Sequence, residues 1–247
     1  MKTNKIKVIA SSIRGPLHIN KGLPCQDCFR YSRGGKNFVA VVSDGAGSAK
    51  FGRNGAKIVC ETLIDLLKNA PFSDAKKHIR KAIGIAREKL ERHRFNKTKD
   101  EKGIMDFSAT VVGVICNKNQ GLFFHIGDGA ALAFRDGEYE RFTASPPENG
   151  NFSCETYFYT QPDWERNLRF TAFENADTVF LMSDGLTNFS FAQDYQSIEK
   201  GFILPINKFL NETGSKPKAE RALANTLNNA EARRLNSDDK TLLWARL

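Results

Sequence analysis

The chain has 247 residues, of which 40% are hydrophobic, 11% aromatic and 26% charged. This composition is typical of a packed globular protein and excludes an overall disordered, collagen-like or coiled-coil structure. The net charge of +9 favours a polyanionic partner, such as nucleic acid or a phosphoprotein, but does not choose between them.

The sequence also indicates in which cellular compartment the protein works. No apolar run approaches the ~20 residues that span a bilayer, and the basic N-terminus lacks the apolar stretch of a secretory signal. The five cysteines are odd in number and scattered, which suits a reducing compartment. Cys25 and Cys28 have CxxC spacing, but no second pair completes a structural zinc site. We therefore expect a soluble, cytoplasmic protein with no membrane contact.

The first half of the chain predicts two strands followed by two helices. Residues 5–10 form a candidate strand, and a loop over 12–24 follows it. The apolar, β-branched run 37–43 is typical of a strand that is buried on both faces. A glycine-rich loop then leads into a helix with apolar residues at 3–4 spacing, and a second helix begins after Ser73 and Asp74.

The second half predicts mainly strands and then two helices. Strands are expected at 107–116, 121–126, 130–135 and 178–183, with a loop at 144–151, helices at 196–210 and 218–235, and a last strand at 241–245. This order differs from the strict alternation of a doubly wound sheet and predicts an α+β sandwich with helices outside the strands. Because no low-complexity linker divides the chain, we expect a single domain over 1–247.

The strongest internal signal is a repeated unit. The segments FVAVVSDG and TVFLMSDG each combine an apolar strand with Ser-Asp-Gly, and so place Asp44 and Asp184 just beyond a strand end. The following glycine would permit a positive φ and a close approach of backbone to a ligand. One such Asp-Gly is usually only a strand-ending turn. Further acidic residues at turns are Asp27, Asp128 and Asp238.

Several aspartates at strand ends predict a metal centre. Like charges within ~4–6 Å repel one another, so such a cluster needs a cation. Carboxylates suit hard divalent ions, and we expect Mn²⁺ or Mg²⁺. Two such ions bridged by one aspartate could activate a shared water and hold a phosphoryl oxygen. The predicted reaction is metal-assisted phosphate hydrolysis.

Six short motifs follow one another along the chain. They are QD at 26–27, VVSDGAGS at 41–48 with GA at 55–56, FSAT at 107–110, IGDG at 126–129, MSDGL at 182–186 and DDKT at 238–241. Their order resembles a known family, the metal-dependent Ser/Thr protein phosphatases of the PP2C type, in their compact bacterial branch. The resemblance implies a four-layer αββα sandwich, in which two antiparallel β-sheets are flanked by helix pairs, and a substrate flap at 143–171.

The same resemblance implies roles for individual residues. Asp44 would bridge two ions, and the carbonyl of Gly45 would bind one of them. Asp184 and Asp238 would complete the first metal site, and Asp128 would bind an accessory third ion. Asp27 would bind the second ion or hold a metal-bound water. The residues with a catalytic role would be Asp27, Asp44, Asp184 and Asp238.

Two positions depart from the family pattern. Gln26 stands where the family usually has Glu, which removes a charge near the second metal. Gly22 occupies the position of the family's phosphate-binding Arg, five residues before Asp27. Arg14 or His18, earlier in the same loop, could supply the positive contact to phosphate instead.

The sequence therefore predicts a metal-dependent protein serine/threonine phosphatase. Its partner would be a phosphorylated protein, linked by the resemblance to a Ser/Thr kinase. An alternative is a pseudophosphatase that binds phosphoproteins without hydrolysing them, which Gln26 and Gly22 motivate. A nucleic-acid-binding protein ranks below both, because only the net charge of +9 favours it.

Overall fold

The computed structural model describes residues 6–97, 103–117, 120–148, 156–192 and 195–247. Two five-stranded antiparallel sheets pack face to face, and helices cover the outer face of each. The predicted α+β sandwich of two antiparallel sheets between helix pairs is confirmed.

Strands that are distant in the sequence lie side by side in each sheet. The strands are β1 (Lys7–Ile13), β2 (Cys28–Ser32), β3 (Phe38–Ser43), β4 (Val111–Asn117), β5 (Gln120–Ile126), β6 (Ala130–Phe134), β7 (Phe142–Ser145), β8 (Arg169–Glu174), β9 (Thr178–Met182) and β10 (Lys240–Arg246). One sheet has the order β1-β10-β9-β6-β7, and the other has the order β2-β3-β4-β5-β8. The chain's first and last strands are therefore hydrogen-bonded neighbours.

The helices divide between the two outer faces. They are α1 (Pro16–Asn20), α2 (Gly52–Leu67), α3 (Ala75–Lys97), α4 (Thr187–Ser190), α5 (Lys200–Glu212), α6 (Lys216–Leu227) and α7 (Ala230–Leu235). Apolar residues of α2 and α3 pack on the sheet that contains β3, and those of α5 and α6 pack on the sheet that contains β1. No described helix combines the length and apolar character that crossing a membrane requires.

Strand β3 shows why the central strands are apolar throughout. Phe38, Ala40 and Val42 face the opposite sheet, whereas Val39 and Val41 face α2 and α3. Successive side chains of a strand point to opposite faces, and in a four-layer sandwich both faces of a central strand are covered. The prediction of a strand buried on both faces is confirmed, since all six residues of β3 are buried.

Several predicted boundaries are wrong. Residues 103–107 form a 3₁₀ turn, so the strand expected from 107 begins only at Val111. The helix expected over 218–235 is divided into α6 and α7, because the Asn229 side chain accepts a hydrogen bond from the Ala232 amide (2.7 Å) and starts a new helix. The loop expected over 12–24 contains the end of β1 and the short helix α1.

Three strands escape the sequence pattern. Strands β2, β7 and β8 lie at sheet edges, and their residues are mostly half-buried. Edge strands have one unpaired side and fewer apolar contacts, so their sequences show a weaker apolar signal. Strand β7 also takes residues 144 and 145 from the loop expected over 144–151.

The glycines of the two Ser-Asp-Gly units serve close packing. Neither Gly45 nor Gly185 has a positive φ, so that part of the expectation is wrong. A Cβ on Gly45 would collide with the backbone of Gly52, and one on Gly185 would collide with the carbonyl of Asp239. The absence of a side chain therefore lets the strand ends approach neighbouring backbone.

We expect Gly185→Ala to lower the free energy of unfolding by about 1–3 kcal/mol, because the new methyl group has no space against backbone. Gly201→Ala is the matched control: Gly201 lies in α5, and a Cβ at this position would have nothing within 4 Å of it. This control should change stability by less than about 1 kcal/mol. Urea denaturation of both variants checks the difference, and equal stabilities would contradict the packing role.

Candidate active site

Four acidic side chains reach one cavity from strand ends in both sheets. Asp44 follows β3, and Asp128 lies between β5 and β6. Asp184 follows β9, and Asp238 precedes β10. All four line a cavity of about 610 Å³. The sandwich thus brings together carboxylates that are far apart in the sequence, including those of both Ser-Asp-Gly units.

Asp27 is buried beside these residues. Its Oδ2 accepts hydrogen bonds from the hydroxyls of Ser183 (2.8 Å) and Thr241 (2.6 Å). The charge of its carboxyl group acts on Asp44 and raises the pKa of that residue. Asp27 therefore connects the N-terminal loop to the ends of β9 and β10 and to the cavity.

Backbone contacts fix the position of Asp44. The amide of Asp44 donates to the Thr110 hydroxyl (3.0 Å), and the amide of Thr110 donates to the Asp44 carbonyl (2.9 Å). The Ser43 hydroxyl donates to the Thr110 carbonyl (2.6 Å). The next residue, Gly45, continues the contact as an isolated bridge to Ala109. The FSAT motif thus extends the pairing of β3 and β4 as far as the acidic cluster.

Burial and mutual repulsion make the cluster hard to ionise. Burial raises the pKa of Asp27 to about 6, although the hydrogen bonds that its carboxylate accepts act to lower the pKa. Burial, followed by the charges of Asp27 and Asp184, holds the pKa of Asp44 well above its usual range. Burial and the charges of Asp128 and Asp238 do the same to the pKa of Asp184. A bound cation would relieve this cost.

The donor set fits a hard divalent cation. Among the described residues, one carboxylate oxygen each of Asp27, Asp128 and Asp184 (Oδ1) is buried without a hydrogen-bond partner. No three Asp, Glu, His or Cys side chains in the described ranges lie close enough to hold one ion together. Mg²⁺ keeps several waters and often binds only one or two carboxylates, so this spacing is compatible with hydrated ions.

Arg169, the first residue of β8, stabilises the turn that contains Asp128. Arg169 donates to the carbonyls of Gly127 (3.3 Å) and Pro146 (2.9 Å), and forms an ion pair with Glu148 (2.6 Å). Gly127 has a φ of 112°, a conformation that favours glycine. These contacts fix the start of the turn that places Asp128 in the cavity.

The predicted flap is only partly a loop. Residues 143–145 belong to β7 and residues 169–171 to β8, whereas 149–155 lie outside the described residues. Thr156 donates a hydrogen bond to Asp128, and Tyr157, Phe158 and Gln161 line the cavity. Arg87 of α3 donates to the carbonyls at 159 (2.6 Å) and 161 (2.9 Å), which anchors this wall. Sequence reasoning missed Thr156 and the anchoring arginine.

The two candidate phosphate-binding residues differ in position. Arg14 is exposed, donates to the Leu23 carbonyl (3.3 Å) and does not line the cavity. His18 is buried in α1, with Nδ1 2.9 Å from a carboxylate oxygen of Asp239. The geometry therefore separates them, and the phosphate contact itself stays a prediction.

Comparison with known proteins identifies the family. The family model of protein phosphatase 2C matches residues 14–228. The chain belongs to the protein phosphatase 2C family. No curated protein has a significantly matching sequence. The family membership that the six motifs suggest is confirmed.

Several solved structures of bacterial proteins share the fold. The serine/threonine phosphatase Stp1 from Staphylococcus aureus is 15% identical with a TM-score of 0.66, over 98% of this chain and 95% of that chain. PstP/Ppp from Mycobacterium tuberculosis is 15% identical with a TM-score of 0.64, over 98% of each chain. PppA, a key regulatory component of T6SS in Pseudomonas aeruginosa, is 16% identical with a TM-score of 0.66, over 98% of each chain.

Gln26 has a defined place in this protein phosphatase 2C site. With its amide nitrogen facing the loop after β3, it donates to the carbonyls of Gly45 (2.7 Å) and Ala46 (3.0 Å). A carboxylate at this position could make neither hydrogen bond when ionised. The departure from the usual Glu thus replaces a charge by two donors that hold the loop.

We expect Gln26→Glu to lower the free energy of unfolding of the metal-free protein by about 1–3 kcal/mol, because it sets a carboxylate against two carbonyl oxygens. Asn225→Asp, the same change of amide to carboxylate at an exposed position of α6, is the control and should change stability by less than about 1 kcal/mol. Urea denaturation in EDTA measures both. A fully stable Gln26→Glu would contradict the assigned hydrogen bonds.

The raised carboxyl pKa values predict the pH dependence of stability. Between pH 3.8, the usual pKa, and about 6, Asp27 binds more protons in the folded chain than in the unfolded one. The free energy of unfolding in EDTA should therefore fall as pH rises through this interval, by on the order of 2–3 kcal/mol for Asp27. Denaturation at pH 4, 5, 6 and 7 measures this. Asp27→Asn should flatten the fall and the exposed Asp65→Asn should not; stability that rises with pH would contradict the assignment.

Proposed function

We propose that the chain is a Mn²⁺- or Mg²⁺-dependent phosphatase that hydrolyses phosphoserine and phosphothreonine in proteins. The observation that carries this proposal is the cavity lined by Asp44, Asp128, Asp184 and Asp238, with unpartnered carboxylate oxygens at its edge. Membership of the protein phosphatase 2C family supports the same reaction.

The metal-binding groups in this proposal are oxygens of strand ends. Asp44 and the carbonyl of Gly45 would contribute to two ions. Asp184 and Asp238 would hold the first ion, in part through bound water, since no three described carboxylates lie close enough to hold one ion directly. Asp128 would hold an accessory third ion, and Asp27 would hold the second, directly or through water. Divalent ions in such a site would neutralise the carboxylates, lower the pKa of water and bind phosphoryl oxygens.

The protein's own contribution is to hold these oxygens in place. Neutral donors fix the carboxylates without adding a competing positive charge: Ser183 and Thr241 hold Asp27, and Thr156 holds Asp128. Because Ser183 and Thr241 are joined by hydrogen bonds at the ends of the paired strands β9 and β10, the Asp27 carboxylate is positioned before an ion binds. Preorganised ligands of this kind reduce the reorganisation needed during reaction.

The cavity suits a phosphorylated side chain presented by a protein. Gly47 and Ser48 form an exposed rim, and Tyr157 and Phe158 supply an aromatic wall. The net charge of +9 would attract phosphorylated chains. We infer that the physiological partner is a phosphoprotein produced by a Ser/Thr kinase.

Asp184→Asn tests this function. It removes a charge and an unpartnered oxygen from the cavity, and we expect turnover of p-nitrophenyl phosphate and of a phosphothreonine peptide to fall at least a hundredfold in Mn²⁺ or Mg²⁺. Asp65→Asn carries the same chemical change on the exposed face of α2 and should keep full activity. EDTA should abolish turnover in the unaltered protein.

Two results would contradict the proposal. Near-normal turnover in a folded Asp184→Asn variant would remove the assigned metal site. A folded, metal-loaded protein that hydrolyses neither substrate would favour the pseudophosphatase alternative.

A further inference from the structure

His18 is held inward by a short, capped helix. The amide of Gly22 donates to the Ile19 carbonyl (3.1 Å), and the amide of Leu23 donates to the His18 carbonyl (2.8 Å). Gly22 has a φ of 66°, so these two bonds form a Schellman cap that favours glycine at this position. The position of the family's arginine is therefore occupied by a helix-ending glycine.

Asp239 binds the imidazole and the surrounding loop together. One carboxylate oxygen accepts from the Gly15 amide (2.7 Å), and the other accepts from the Gln26 amide (2.6 Å) and lies 2.9 Å from Nδ1 of His18. Asp239 and His18 are 1% and 3% exposed, so little water competes for these contacts. This close contact between the Asp239 carboxylate and Nδ1 restricts the orientation of the imidazole ring.

The other ring nitrogen lies next to the cavity. A Cβ on Gly47 would be 3.7 Å from Nε2 of His18, and Gly47 itself lines the cavity. No lysine or arginine among the described residues lines this cavity, so a phosphoryl group would find no basic side chain on its walls. His18 does not itself line the cavity, but its Nε2 lies directly behind the lining residue Gly47, within reach of a phosphoryl group bound at that rim.

We propose that His18 binds the phosphoryl group of the substrate through Nε2, and that Asp239 is the positioning residue that orients the imidazole for this contact. The inference rests on the proposed function, since it names the anion contact of the same site. It selects His18 over Arg14, whose guanidinium is engaged with the Leu23 carbonyl on the exposed side of the loop.

Binding of inorganic phosphate tests this proposal without requiring turnover. Calorimetry on the Mg²⁺-loaded protein should show a phosphate Kd that rises about tenfold to a hundredfold in His18→Ala, the loss expected for one charge-assisted hydrogen bond. His18→Gln keeps an amide donor and should recover part of this affinity. His78→Ala removes an imidazole from α3 and is the matched control, with unchanged affinity.

The variant Asp239→Asn tests whether residue 239 orients His18 or only fills space. The variant keeps the shape of the side chain and an oxygen for a backbone amide, but loses the charge that orients His18. We expect the phosphate Kd to rise at least fivefold while the Mg²⁺ Kd stays within twofold of normal. The effects of Asp239→Asn and His18→Ala should not add, because both remove one contact.

Three outcomes would overturn the inference: no phosphate binding by the unaltered protein, unchanged phosphate affinity in folded His18→Ala, or a loss of affinity in Arg14→Ala instead. Failure of the proposed function is distinguishable. A protein that binds phosphate through His18 but hydrolyses no monoester would retain this inference and lose the phosphatase assignment. A protein that hydrolyses monoesters without help from His18 would do the reverse.

Discussion

Repulsion among buried carboxylates is the constraint on which this end of the sandwich depends. Asp27 and Asp184 lie close enough to Asp44 that their charges raise the cost of ionising it. The fold holds them there through paired strands whose own stability comes from the apolar layers on both faces. Stability gained in the core therefore offsets an electrostatic cost at the strand ends, and that cost is the basis for binding a cation.

The residues around the acidic cluster orient its carboxylates without neutralising their charge. Most of them are hydroxyls and backbone amides, which orient a carboxylate but leave its charge available. The buried Lys240 is a positively charged neighbour of the cluster. Its Nζ donates to the backbone carbonyls of Asn236 (2.7 Å) and Asp238 (3.0 Å), and so stabilises the turn before β10. A lysine bonded directly to the carboxylates would have occupied the place of a metal ion.

Much of the architecture could be predicted from the sequence because central strands are apolar on both faces and end at Asp-Gly. The edge strands β2, β7 and β8 could not, since their half-buried residues lack a clear period. The strand-ending aspartates predict an acidic cluster, but the pattern does not say which strand ends meet, because that depends on how strands from two sheets pack at one end. The burial of His18 was also hidden, because it depends on the helix turn that Gly22 ends.

The adjacent residues Asp238 and Asp239 show how one short turn serves two environments. Neighbouring residues in extended chain point in opposite directions. Asp238 accordingly lines the cavity, whereas Asp239 lies behind it, where two backbone amides donate to it and His18 contacts it. One carboxylate thus stays available to a ligand, and the next is engaged within the protein. The turn before β10 therefore connects the cavity to the N-terminal loop. A change in this turn or in that loop would alter the position of the residues that line the cavity.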